Sequence, residues 1–289
     1  MDLQRIYRPG PTENHVPLPS SGRAGRNLPA AITVGVTLSA ISLGSLFLSH
    51  TAFLALMCIF AVVALWELAG AFARKGHEVI LPPAWVGSVG MIICAWTLGL
   101  EAVLAALCLT IMAASIWRIL DGTGDSAMMD IMVTTFSLVY VALLASFVVF
   151  ILASPHSIAA VILFIALAVA NDLGGWAAGI SFGKHPMAPK ISPKKSWEGF
   201  AGSMLTSIAV GIGGMTYLGA AWWWGIILAI FTTIAATTGD LVESLIKRDV
   251  GLKDMSNLLP GHGGIMDRMD SLLMVAPVVY LVLRVALPW

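Results

Sequence analysis

Residues 239–271, GDLVESLIKRDVGLKDMSNLLPGHGGIMDRMDS, gather acids and bases in a chain that is otherwise apolar. Asp267 and Asp270 stand three apart and so share one face of a helix, with Arg268 beside them. On a preceding helix that leaves the membrane, Asp240, Ser244 and Lys247 occupy positions i, i+4 and i+7 and also share a face. Two carboxylates from one helix and a third from a neighbour make an all-oxygen site. Such a site suits a hard cation such as Mg2+, which keeps water and phosphate oxygens among its ligands. Between the two helices, GHGG (261–264) offers a backbone that a ligand can approach closely, ahead of a helix start whose N–H groups favour anions. Lysines, arginines and that helix N-terminus would hold phosphates while the carboxylates hold the metal. Each fragment alone also fits a plainer reading, a capping acid and a cytoplasmic base around ordinary loop glycines. The combination favours a metal and phosphate site at the cytoplasmic face.

A second polar stretch, NDLGGWAAGISFGKHPMAPKISPKKSWEG (171–199), carries more charge than a connection needs. Asp172 stands late in an apolar run, where an ionisable group marks a cavity or a functional site more often than not. Gly183, Pro186, Pro189 and Pro193 forbid a long helix, so Lys184, Lys190, Lys194 and Lys195 are expected on irregular backbone. Lysines alone would satisfy the positive-inside rule; Ser192, Ser196 and Glu198 beside them favour an anion site.

The elements that must position these residues are membrane helices. Of 289 residues, 58% are hydrophobic and 11% charged, against roughly 25% charged in soluble domains. Apolar runs at 29–48, 51–73, 82–98, 100–118, 130–152, 156–182, 199–218, 221–240 and 268–287 predict an all-α polytopic membrane protein of about nine spans. Residues 1–28, rich in Pro, Gly, Ser and Arg, are expected to form a disordered cytoplasmic tail rather than a signal peptide. Residues 29–152 then form an N-terminal group of helices, and 153–289 a C-terminal catalytic region. With the N-terminus inside, Arg284 alone of the 16 Lys and Arg falls on the outer side. The opposite orientation inverts that balance. Trp222 to Trp224 and Trp289 suit an aromatic belt at the outer interface. Cys58, Cys94 and Cys108 lie in apolar runs, are odd in number, and read as small core hydrophobes. A net charge of zero gives no electrostatic case for nucleic acid.

At its polar stretches the chain resembles the phosphatidate cytidylyltransferase (CDP-diacylglycerol synthase) family. Its signature, Ser-x2-Lys-Arg-x4-Lys-Asp-x5-Pro-x-His-Gly-Gly-x2-Asp-Arg-x-Asp, is matched without a gap. The matching residues are Ser244, Lys247, Arg248, Lys253, Asp254, Pro260, His262, Gly263, Gly264, Asp267, Arg268 and Asp270. SPKKSWEG (192–199) resembles the family's Ser-Pro-x-Lys-Thr-x-Glu-Gly element, with Ser196 keeping the hydroxyl of the usual Thr. Leu173 stands where the family usually has Ser or Thr after the Asp.

The resemblance implies transfer of the cytidylyl group of CTP to phosphatidate, giving CDP-diacylglycerol and pyrophosphate. The expected setting is a bacterial inner membrane, with the site at the cytoplasmic leaflet and a homodimer as the assembly. It also implies roles. Asp240, Asp267 and Asp270 would bind Mg2+ as a two-cation site, with Asp172 a further candidate. Lys247, Arg248, Lys253 and Arg268 would hold the triphosphate or the lipid phosphate. Ser192, Lys194, Lys195 and Ser196 would serve the nucleotide, with Ser244, Gly263 and Gly264 contacting substrate, and His262 would bond a phosphate or brace the loop. The nearest alternative is a CTP-dependent lipid kinase of the polyprenol or phytol type, which transfers the γ phosphate. A CDP-alcohol phosphotransferase lacks support, because LDGTGDSAMMD (120–130) does not supply its Asp-x2-Asp-Gly-x2-Ala-Arg pattern. A transporter would place ionisable groups near the bilayer midplane rather than crowd them at one face.

Overall fold

The computed structural model describes residues 6, 8–13, 28–122, 126–259 and 263–288, with the backbone alone for 28–32. Each apolar run read from the sequence is helical: α1 (Leu28–Leu48), α2 (His50–Ala73), α3 (Leu81–Thr97), α4 (Leu100–Leu120), α5 (Ala127–Leu152), α6 (Ser157–Phe182), α7 (Trp197–Tyr217), α8 (Trp222–Asp249) and α9 (Met266–Ala286). Among the described residues, seven of these are long and apolar enough to cross a membrane. Thr33–Leu48 and Leu81–Thr97 are shorter apolar helices. The chain is an all-α polytopic membrane protein, and side chains such as Val86 and Leu205 stay outward as a lipid-facing surface requires. A π turn at Leu138–Leu143 interrupts α5. The three cysteines are free.

Residues 184–195, expected to be irregular, contain a small antiparallel ribbon. Strand β1 (Pro186–Ala188) pairs with β2 (Ser192–Ser196), Pro186 opposite Ser196 and Ala188 opposite Ser192. Proline is compatible with this because both strands are edges, where proline is tolerated at the first residue, as Pro186 is, or where the N–H would face away from the partner.

The chain divides into two compact units. One comprises Met1–Ser146 with Asp249–Arg268, the other Phe147–Arg248 with Met269–Trp289. In the first, Leu65, Leu68, Leu81, Met91 and Ile92 are fully buried, and Trp85 Nε1 donates to Val62 O at 3.1 Å. Buried Asp130 accepts from Arg118 Nε at 3.0 Å and from Glu78 N at 2.8 Å. Part of the N-terminal tail belongs to this unit: Thr12 N donates to Gly70 O at 3.0 Å, Arg74 Nη1 to Thr12 O at 2.6 Å, and Arg8 Nε to Glu78 Oε1 at 2.7 Å. The rest of the tail, including Arg5, Arg23 and Arg26, lies outside the described residues, as does Trp289.

In the second unit, Phe147, Phe150 and Tyr280 form an aromatic cluster. Helices α6 and α7 meet backbone to backbone. A Cβ on Gly202 would stand 2.6 Å from Gly174 O, and one on Gly174 2.6 Å from Gly202 O. Hydroxyls seal the crossing, Ser203 Oγ donating to Asn171 O at 2.6 Å and Thr206 Oγ1 to Ala170 O at 2.7 Å. Small residues and interhelical hydroxyls are how helices associate where lipid removes the hydrophobic drive.

Candidate functional site

The close α6–α7 crossing and the ribbon between these helices shape a cavity of about 310 Å3 in the second unit. Asn171, Asp172, Gly175 and Trp176 of α6 line it, with Met187, Ser192, Lys194, Lys195 and Ser196 of the ribbon, Gly199, Phe200 and Ser203 of α7, and Thr237 and Asp240 of α8. Six residues singled out by sequence thus come together: Asp172, Ser192, Lys194, Lys195, Ser196 and Asp240. Lys195 Nζ pairs with Asp240 Oδ2, so a cation and an acid already face each other there.

Local chemistry explains why the ribbon holds its shape. Ser196 is the N-cap of α7, its backbone extended (φ −122°, ψ 157°) and its Oγ accepting from Gly199 N at 3.1 Å, a cap typically worth about 1 kcal/mol. Its hydroxyl therefore has a structural partner besides any substrate. Glu198 reaches back across the turn: Oε2 accepts from Lys184 N and His185 N at 3.2 Å each, and Oε1 meets His185 Nδ1 at 2.5 Å.

Helix α8 continues past its apolar part to Asp249, which puts Asp240, Ser244 and Lys247 on one helix as expected. Glu243, buried and not anticipated from the sequence, pairs with Lys247 one turn on. Its spacing to that lysine was the available signal. Asp270 lies within electrostatic reach of Asp240, Glu243 and Lys247. The approach is close because a Cβ on Gly239 would collide with the backbone carbonyl of Asp270. Exposed Arg248 directs Nε to Ile191 O at 3.4 Å.

The stretch 249–268 belongs to the first unit, and its polar groups are used differently. Asp267 Oδ2 accepts from Met255 N at 2.8 Å and Gly264 N at 2.7 Å. Gly263 N donates to Leu259 O at 3.1 Å, while Ile265 N and Met266 N donate to Glu67 of α2 at 2.9 and 2.7 Å. Four of the N–H groups at this expected phosphate site, those of Gly263 to Met266, are therefore met by protein acceptors, two of them carboxylates. The glycines answer to the same packing. Gly263 has φ +83°, and a Cβ on Gly264 would lie 2.5 Å from Glu67 Oε2. Lys253 and Arg268 are exposed. Pro260, Gly261 and His262 lie outside the described residues, so the expectation for His262 falls there.

Among the described residues, no group of three or more His, Cys, Asp and Glu is placed to hold a metal ion. Asp240 and Asp270 fit Mg2+ in donor type and number, since that ion takes one or two carboxylates and fills its octahedron with water and phosphate.

A model of the cytidylyltransferase family matches residues 29–286. The chain is 35% identical over 280 residues to the phosphatidate cytidylyltransferase of Mycobacterium bovis, covering 92% of each chain. It is 35% identical over 277 residues to that of Mycobacterium leprae, covering 90% of this chain and 89% of the relative. It is 43% identical over 114 residues to that of Haemophilus influenzae, covering 37% of this chain and 40% of the relative.

Proposed function

This chain belongs to the cytidylyltransferase family, and we propose that it transfers the cytidylyl group of CTP to phosphatidate, releasing pyrophosphate and leaving CDP-diacylglycerol in the bilayer. The observation that carries this reading is the cavity that unites Ser192, Lys194, Lys195 and Asp240 in a chain matched to the family almost end to end. A lipid acceptor and a water-soluble nucleotide require a site at the membrane surface. Positive-inside counting favours a cytoplasmic N-terminus with both polar stretches on that side, and the membrane we propose is the inner membrane. Resemblance alone supports a homodimer.

The reaction needs no strong base. A phosphate oxygen of phosphatidate attacks the α phosphorus of CTP. That P–O bond forms as the bond between the α phosphorus and the bridging oxygen to the β phosphate breaks, and pyrophosphate departs with the electron pair. The obstacle is repulsion between polyanions, and fixed cations lower it most where charge develops. We assign Lys194, Lys195 and Ser192 to the nucleotide, and Lys247, Arg248, Lys253 and Arg268 to the phosphates of the two substrates. Mg2+ held by Asp240 and Asp270, with Asp172 nearby in the cavity lining, would supply further charge neutralisation. Lys195, now paired with Asp240, exchanges part of that pairing for phosphate when CTP enters.

The test supplies the purified protein with phosphatidate, Mg2+ and CTP labelled at either the α or the γ phosphate. Entry of α label into lipid with γ label leaving as pyrophosphate is expected. Transfer of γ label to a lipid alcohol would instead make the protein a kinase.

A further inference from the structure

Glu67 sits among apolar residues of α2, 1% exposed, and no substrate role above uses it. Its carboxylate collects three donors: Ser256 Oγ at 2.6 Å, Ile265 N at 2.9 Å and Met266 N at 2.7 Å. A buried carboxylate is an expensive way to stabilise a fold, because apolar replacements of buried ionic groups are often neutral or stabilising. What it does supply is directional geometry, and the donors identify its target. Ser256 follows Lys253 by three residues, and Met266 precedes Arg268 by two. One side chain thus fastens both ends of the loop that carries two cations assigned to substrate phosphates. Gly264 is shaped to admit it, since a Cβ there would stand within 2.7 Å of three Glu67 carboxylate atoms. Asp267 adds a second fastening between the same two ends, through Met255 N and Gly264 N.

We propose that Glu67 is a positioning residue for cytidylyl transfer, fixing both ends of the 249–268 loop so that Lys253 and Arg268 meet the phosphates in a set geometry. The proposal rests on the phosphate roles given to Lys253 and Arg268. It acts through them, so removing Glu67 and removing Arg268 damage the same interaction.

A double-mutant cycle in the full-length protein decides it, with kcat and KM for CTP measured at saturating phosphatidate and Mg2+ alongside the thermal midpoint. Glu67→Gln keeps the size but sets an NH2 group against N–H donors. It is expected to lower kcat/KM about 10- to 100-fold while the protein stays folded at the assay temperature. In an Arg268→Ala background the same change should cost less than about threefold, because interacting sites are non-additive. Glu67→Gln within threefold of wild type, or a double variant whose loss equals the product of the single losses, overturns the proposal. If Glu67→Gln does not fold, Ser256→Ala removes one donor and enters the same cycle. A loss of about fivefold that vanishes beside Arg268→Ala supports the proposal, and an additive or absent loss overturns it. An Arg268→Ala protein as active as wild type would refute that residue's phosphate role instead, and the coupling of Glu67 is then read against Lys253→Ala by the same criteria.

Discussion

The two polar stretches of this chain spend their hydrogen bonds in opposite ways. Around the cavity, Lys194 stays exposed, Lys195 meets a single acid, and Ser192 and Asp172 line open volume. In the 249–268 stretch, backbone N–H groups from Gly263 to Met266 are taken by Leu259, Asp267 and Glu67. In the first arrangement polar groups line open volume; in the second the backbone N–H groups from Gly263 to Met266 are bonded within the chain. Similar residue types, acids and bases around glycines, thus line a cavity in one place and tie a loop together in the other. What separates them is whether the polar atoms face a void or the chain itself.

Variants can sharpen or break this contrast. The largest loss is expected at Asp240, where Asp240→Asn should lower kcat/KM on the order of 1000-fold, a size reached when an electrostatic group at the reacting phosphates is lost. Near-normal turnover by folded Asp240→Asn would remove the cavity from the chemistry. Next comes Asp267. If it serves chiefly to brace the loop, Asp267→Ala should cost about 100-fold and Asp267→Asn about tenfold or less, because the remaining amide oxygen can still take both N–H bonds. Equal losses for the two, with a raised Mg2+ requirement, would make Asp267 a metal ligand and erase the contrast. The smallest effect belongs to Ser196. Ser196→Ala should lower stability by about 1 kcal/mol through its N-cap and change kcat/KM less than about threefold. A 100-fold loss at unchanged thermal midpoint would assign its hydroxyl to substrate.

Much of this was legible in the sequence, and the limits have physical causes. Helices were readable because lipid demands long apolar runs, and the structure is helical over all nine of them. The cavity was readable in part because Asp172 and Asp240 are charges in apolar surroundings, where burial without purpose is costly. Glu67 met the same criterion. Its partners lie 189 to 199 residues away, and no local spacing announces such a contact. The packing around GHGG was hidden for a related reason. A glycine that admits a ligand and one that admits a buried side chain look alike in sequence, and only the neighbour distinguishes Gly264. The ribbon at 186–196 was hidden by its prolines, which argue against interior strands but not against an isolated pair of edges.

The glycine crossing of α6 and α7 also bears on how the protein is made. Glycines, serines and threonines that let the two backbones touch leave α7 with the least apolar window of the seven long helices, while α6 is among the more apolar. A segment so composed partitions weakly into lipid by itself. Helix α7 should therefore enter the bilayer together with α6 as a hairpin during synthesis. In a translocon reporter assay, α7 alone is expected to insert poorly and the Ser157–Tyr217 pair well. Substituting leucine at Gly202 should improve insertion of the lone helix while destroying the folded crossing, so the residues that shape the cavity are the ones that make its wall depend on a neighbour at birth.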